Sequence, residues 1–471
     1  MQKQPSFSPR RGPRLFRADL APLWAWSAAL ALLCTLISYP GIWYSDSFVR
    51  VTTGGAVLNA VVKALTGHRI VVETFNAFSV IPSFFMAASL GLTGHVALYT
   101  FAQAFAFFAA LFLLIRELDP PYRRAQSVLY ALSPVFYGAS VYYEANIGSL
   151  VGLIALVLLF RRAGEEQTRG ERAASFLLVA LASFVTFGYR ANALTVIPVL
   201  AVYLFRTRRG WARRGLPLLA MAFGLLMVKL VPWAFGVQSL SNGATGFVWE
   251  MVTAIQRLDP AEQAEYQDYL DDVFGEGATR AVLATSTEVS ANDFMWGEAI
   301  NAGKMSAPGV MGRVTGKYLR LLREKPLALL GVKLDFVRRA MGIGETLDDS
   351  EYDYNRWNGM GEYGFNDSLQ RRAFHASYLR AHDVFGFYTR HPWLPFLVTL
   401  AMVLTEHFRK SRKRGLYALL LWLAVFYYGA YLAVIVGFEL RFFYPALFLL
   451  LTLDGAILLE WIGLGVRRLR K

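Results

Sequence analysis

Long apolar runs separated by short polar breaks dominate this chain. They fall near 21–42, 95–115, 125–145, 147–160, 174–189, 191–205, 216–236, 392–408, 415–437 and 442–463. Most approach the ~20 residues that an α-helix needs to cross hydrocarbon, so the pattern predicts an all-α polytopic membrane protein with about ten transmembrane helices. Two of the breaks, Glu144-Ala145-Asn146 and Tyr189-Arg190-Ala191-Asn192, leave almost no loop. Between 43 and 94 the pattern changes. Val57, Leu58, Val61, Val62 and Leu65 recur at helical spacing, with Asn59 and Lys63 opposite. That predicts an amphipathic helix lying in the interface. The apolar stretch from Phe78 to Leu92 is too short to span and predicts a second interfacial or half-inserted helix. Residues 237–391 form a mixed segment of the size of a small external domain, with helices expected near 247–275 and 313–342. The predicted order is a basic tail (1–20), a membrane domain (21–236) holding the interfacial helices, the external domain, C-terminal transmembrane helices (392–466) and a short tail (467–471).

Composition agrees: 55% of residues are hydrophobic and only 17% charged, which excludes a soluble enzyme on a single anchor. Charge supplies the orientation. Segments 1–20, 116–124, 161–173, 206–214, 409–414 and 467–471 carry more than half of the 48 Lys and Arg. Their acids are only Asp19, Glu117, Asp119, Glu165, Glu166 and Glu171. The positive-inside rule puts all six segments, and both termini, on the cytoplasmic side. The net charge of +14 is then topogenic and drawn to anionic membrane lipid, with no nucleic-acid partner expected. Bulky residues at Tyr39-Pro40-Gly41-Ile42-Trp43 predict a retained first helix, not a cleaved signal. The short basic loops point to a bacterial inner membrane. The single cysteine, Cys34, excludes an intramolecular disulfide.

On this topology the external helix ends collect charge: Asp46, Arg50, Glu73, Glu144, Arg190, Glu439 and Arg441. A carboxylate at the mouth of a hydrophobic helix, such as Asp46, is costly and a site candidate by default. Burial raises its pKa and a nearby Arg lowers it, a balance that suits a general base. A guanidinium at the bilayer surface suits a bidentate grip on phosphate. Together they fit a lipid-phosphate substrate attacked by a hydroxyl or amine. Other chemistries lack their residues. Gly312 to Lys317 has the wrong spacing for a phosphate loop, and neither HExxH nor GxSxG occurs. The six histidines have no metal spacing. Asp349, Glu351, Asp353 and Asn355 alternate like calcium ligands, but Tyr354 stands where the loop needs Gly. An aromatic cluster (Tyr352, Tyr354, Trp357, Tyr363 and Phe365) beside them could contact a sugar or dock a loop.

Several of these stretches resemble one superfamily. Tyr39-Pro40-Gly41 with Ser45-Asp46-Ser47, Gly188-Tyr189-Arg190-Ala191-Asn192, and Glu439-Leu440-Arg441-Phe442-Phe443-Tyr444-Pro445, in that order and on one side, look like GT-C membrane glycosyltransferases. That superfamily includes protein mannosyltransferases and aminoarabinose transferases. The resemblance covers roughly 20–236 and 392–465. It implies a polyprenyl-phosphate sugar as donor, an envelope acceptor, and no cofactor beyond the donor lipid, with divalent metal left open. It also implies Asp46 as the first-loop catalytic base and Arg441 near the donor phosphate. Arg190, Asn192, Glu439, Arg50 and Tyr444 complete the expected substrate contacts. Several relatives carry an Asp-Glu pair where this chain has Asp46-Ser47, so a second carboxylate falls to Glu73 or Glu144. Two rivals remain. In an envelope polysaccharide polymerase or ligase, Arg371, Arg372, His375 or His382 would carry the work. A lipid or polysaccharide flippase would place charge near the midplane.

Overall fold

The computed structural model describes residues 20–39, 41, 45–68, 70–75, 80–142, 145–162, 168–208, 210–240, 243–289, 291, 294, 297–347 and 369–469. The alternating acids 349–355 and their aromatic neighbours lie outside that set. The described chain is helical apart from one two-stranded sheet. Among the described residues seven helices are long and apolar enough to cross a membrane, consistent with an all-α membrane protein. They are α1 (Ala21–Ser38), α4 (Ala97–Leu118), α7 (Ala145–Arg162), α8 (Arg169–Tyr189), α10 (Trp211–Ala234), α17 (Arg414–Ala433) and α18 (Tyr444–Leu469). The remaining apolar runs form shorter pieces: α5 (Arg123–Leu132) with α6 (Pro134–Ser140), the 3-10 turn Ala191–Val196 with α9 (Ile197–Thr207), and α16 (Trp393–Phe408).

The run expected as one span over 125–145 is broken. Ser133 is extended (φ −75°, ψ 123°) and Pro134 opens the second piece. Proline supplies no N–H and drives its predecessor out of the helical region, so the hydrogen-bond ladder restarts there. The pieces nonetheless run antiparallel to α18 along most of its length. Pro121 lies against Gly463. Gln126 Nε2 donates to the Thr452 carbonyl (3.1 Å) and the Tyr130 hydroxyl to that of Leu451 (2.5 Å). Phe136 packs edge-on to Phe448 (5.0 Å), and Tyr142 on Tyr444 (6.1 Å). From residue 463 to residue 444 is about 28 Å of helix, close to the thickness of a hydrocarbon core.

The helix ends gather at two poles. At the lower pole Arg161 pairs with Glu117 (2.8 Å), Arg208 donates to the Phe160 carbonyl (3.3 Å) and Lys413 to that of Asp119 (2.9 Å). The basic segments between spans thus meet at one end of the bundle. At the upper pole, the start of α7 meets the start of α18, and the 191–196 turn meets α17. Close helix approach is built on small residues. Gly148 and Gly152 of α7, spaced as G-x-x-x-G, face α8. A Cβ at Gly148 would run into the Tyr189 ring, and one at Gly152 would lie 2.8 Å from the Thr186 nitrogen.

Between α1 and α4 lie α2 (Ser45–Leu65) and α3 (Val80–Thr93), packed on each other. The expected amphipathic helix is therefore longer than its apolar stripe and begins at Ser45. β1 (Val72–Phe75) joins them and pairs in parallel with β2 (Val237–Leu240), which follows α10. Nothing in the alternation of either four-residue segment announces that pairing.

Above the bundle, α11 (Ala244–Gln256), α12 (Val310–Glu324) and α13 (Pro326–Ala340) form a second packed unit with short helices between. The piece expected over 313–342 is split at Lys325-Pro326, for the same reason as the break at Pro134. Trp249, Phe336 and Phe438 make its aromatic centre. Glu250, 1% exposed, is held by Lys333 Nζ (2.6 Å) and the Tyr318 hydroxyl (2.8 Å). Lys333 also bonds the Ala433 carbonyl at the top of α17, seating this unit on the bundle (2.6 Å). Residues 369–389 leave this unit. α14 (Leu369–Val384) packs on α1 and α6, and α15 (Gly386–Thr389) leads into α16.

Candidate functional site

The upper pole is organised by the strand-like link between α17 and α18. Glu439 is extended (φ −111°, ψ 136°) and Leu440–Phe442 form one 3-10 turn. Tyr444 then opens α18, with Pro445 in its first turn, where a missing N–H costs nothing. This geometry turns Arg441 into the protein, 7% exposed, and pairs its Nε with Glu439 Oε2. Burying a guanidinium without such a partner would be prohibitive. The Arg441 carbonyl accepts from Asn146 Nδ2 (2.9 Å), and Asn146 Oδ1 accepts from the Tyr427 hydroxyl (3.3 Å). Asn146 thereby ties the first turn of α7 to the 440–442 turn, 295 residues away.

Phe442 is the centre of the cluster. The Arg441 guanidinium carbon lies 5.2 Å from its ring centroid and that of Arg190 5.4 Å. The Tyr431 ring stacks on it at 4.7 Å and 17°. Two like charges brought to one ring repel; the ring's negative face offsets part of this, each such contact contributing ~0.5–2 kcal/mol. Arg190 is placed there because α8 ends at Tyr189 and the next residue is extended (φ −146°, ψ 125°). Asn192 serves the following turn, its carbonyl accepting from Thr195 Oγ1 (2.8 Å), which also bonds the Phe426 carbonyl (2.7 Å). Tyr444 is buried and its ring meets Tyr142 edge-on. Gln103 Nε2 fixes the neighbouring turn by donating to the carbonyls of Ser140 (3.0 Å) and Tyr142 (2.7 Å).

Arg50 stands on α2, 1% exposed, with its carbonyl accepting from Ser83 Oγ of α3 (3.1 Å). The α2–α3 pair reaches the same pole, since Val57, Ile81, Ala145 and Tyr189 share one apolar cluster. Asp46 lies in the first turn of α2, four residues before Arg50; its side chain is outside the described residues, as is Glu144 altogether. Glu73 is exposed on β1, opposite Gln238 in the sheet. Its neighbour Val72 packs towards the cluster, and adjacent strand residues point to opposite faces, so Glu73 turns away. Among the residues invoked for a polymerase, Arg372 is exposed on α14, and the side chains of Arg371, His375 and His382 are outside the described set.

Arg441, Arg190 and Glu439 are thus brought together at one pole of the bundle. Asn146, Tyr427, Tyr431 and Phe442 join the cluster without being among its expected site residues. Asn146 carried one signal, a buried-capable amide in a turn too short to be a loop; the aromatic residues looked like ordinary span residues. Among the described residues no group of three or more His, Cys, Asp or Glu is placed to hold a metal ion. No protein-family model, curated protein or solved structure matches this chain.

Proposed function

We propose that this chain is a GT-C-like membrane glycosyltransferase working at the upper pole, with that pole facing outward from a bacterial inner membrane. In this reading the broken α5–α6 pair, the 191–207 segment and α16 cross beside the seven long helices. The count is then ten, with both termini cytoplasmic. The observation that carries the reading is the pair Arg190 and Arg441 on one aromatic ring at the membrane end of the bundle. Two guanidinia on one ring favour a ligand with negative charge, such as the phosphate of a polyprenyl-phosphate sugar.

The step is a displacement at the anomeric carbon. An acceptor hydroxyl on an envelope glycan, lipid or protein attacks that carbon, and Asp46 takes its proton. The bond from the carbon to the phosphate oxygen breaks, and polyprenyl phosphate leaves with added negative charge. Arg441 and Arg190 stabilise that charge as it develops. Glu439 holds Arg441 in place. The unit of α11, α12 and α13 stands above and is the natural acceptor side. Asp46→Asn should cut transfer from a polyprenyl-phosphate sugar ~100-fold or more, with expression and insertion unchanged. Unaltered transfer would remove the assigned base.

A second reading has one observation in its favour. Asp454 is buried near the middle of α18, beside the broken helix α5–α6. Midplane carboxylates and discontinuous helices are features of carriers. Flipping of a lipid-linked glycan by reconstituted protein, without sugar transfer, would select it.

A further inference from the structure

Residues 369–389 follow a path that neither the bundle nor the unit above it requires. Early in α14, Phe374 meets the Tyr137 ring (4.8 Å) and Ser377 Oγ bonds the Tyr137 hydroxyl (2.8 Å). Tyr137 sits beside Phe136, whose ring packs on Phe448. Further on, the Tyr388 hydroxyl donates to Asp454 Oδ2 (2.6 Å), while Thr399 donates to the other oxygen (2.7 Å). Measured along α18 from Tyr444, Phe448 is about 6 Å down and Asp454 about 15 Å down. The segment therefore touches the bundle at two levels, near Phe448 early on and at Asp454 through the Tyr388 side chain.

Beside Tyr388 three apolar side chains face out of the protein: Val384 (69% exposed), Phe385 (55%) and Phe387 (71%). α1, on which α14 packs, exposes Leu32, Leu33 and Leu36 on a span of its own. The helix that carries the exposed tip thus packs on one long and apolar enough to cross a membrane. Back along α14, Arg372 and Arg380 are exposed. Asp383, next to the tip, is neutralised by Arg390 (2.9 Å).

We propose that residues 369–389 are a wedge sunk into the leaflet at the upper pole. Val384, Phe385 and Phe387 sit in lipid hydrocarbon, and Arg372 and Arg380 reach anionic headgroups, as basic side chains at an interface do. Asp454 is the latch that holds the wedge at depth through Tyr388. This assignment stands whether or not the protein transfers sugar.

The test uses the full chain with Cys34→Ala, reconstituted in phosphatidylcholine–phosphatidylglycerol vesicles, with Phe387→Cys carrying a bimane label. Lipids bearing a doxyl group on the acyl chain should quench the label strongly, and aqueous iodide should not. Before labelling, the Phe387→Cys thiol should react about tenfold more slowly with a membrane-impermeant maleimide than Glu276→Cys on the exposed surface, because the attacking thiolate forms only in water. Phe385→Cys should behave alike and covers the chance that one variant fails to fold. Iodide quenching with reaction as fast as at residue 276 overturns the proposal. Protection from both quenchers overturns it too, since protein and not lipid would then cover the tip.

Discussion

Arg441 shows how a charged residue is made tolerable and useful at once. Its guanidinium is nearly buried, paired with Glu439 and set over Phe442, and its carbonyl is tethered by Asn146. Lysine would keep the charge but lose the planar fork and the stacking. Arg441→Lys should therefore lower kcat/KM for a polyprenyl-phosphate donor about tenfold, largely through kcat, with the thermal midpoint little changed. A fall in midpoint with kcat/KM unchanged would make Arg441 a structural residue only. That Glu439 and Arg441 stand two apart at a turn was legible in the sequence. That Arg190 shares their ring was not, because 252 positions of chain separate residues 190 and 442 and only packing closes the gap.

At the scale of elements, two local rules explain most of what departs from the apolar pattern. Proline ends helices at Ser133-Pro134 and Lys325-Pro326, so one expected span and one expected external helix each become two pieces. Glycine sets helix separation where α7 meets α8. Gly152→Ala would put a methyl group 2.8 Å from the Thr186 nitrogen and 2.9 Å from the Ala182 carbonyl. Such overpacking costs roughly 1–3 kcal/mol, and a lowered thermal midpoint in detergent should report it. Gly429→Ala in α17 meets nothing within 4 Å and should leave the midpoint unchanged or raise it, alanine being the better helix former. The pairing of β1 with β2 belongs to this scale as well. Four-residue strands carry too little pattern to be recognised, and their partner choice follows from where α2 and α10 deliver them.

For the whole molecule, the outer unit is held by charge as much as by its aromatic centre. Arg257 makes two bonds to the Glu288 carboxylate (2.7 and 2.8 Å) and a third to Asp335 (3.0 Å). The Arg257 guanidinium holds the Glu288 carboxyl below its usual value, against the opposing effect of burial. A lowered carboxyl pKa contributes stability that is fully present above the unfolded value, near ~4.3, and is lost as pH falls through the folded value. Between roughly pH 5 and pH 3, limited proteolysis of the segment between α10 and α16 should therefore accelerate. Glu288→Gln should be more susceptible at neutral pH and show less change on acidification; an unaltered acid response in that variant would assign the transition to other carboxylates.

The sequence by itself determined the class of protein, the long crossing segments and the two-sided distribution of charge. Each of these rests on local chemistry: apolar length against bilayer thickness, and the bias of Lys and Arg between spans. Tertiary structure alone decided which ends meet. It joined Asn146 to Arg441, set Arg190 over Phe442, left Glu73 exposed and brought Tyr388 to Asp454. Those relations depend on side chains 66 to 295 residues apart finding hydrogen bonds and ring contacts in the packed interior. Nothing periodic in the chain records such meetings, because they arise only once the helices have packed.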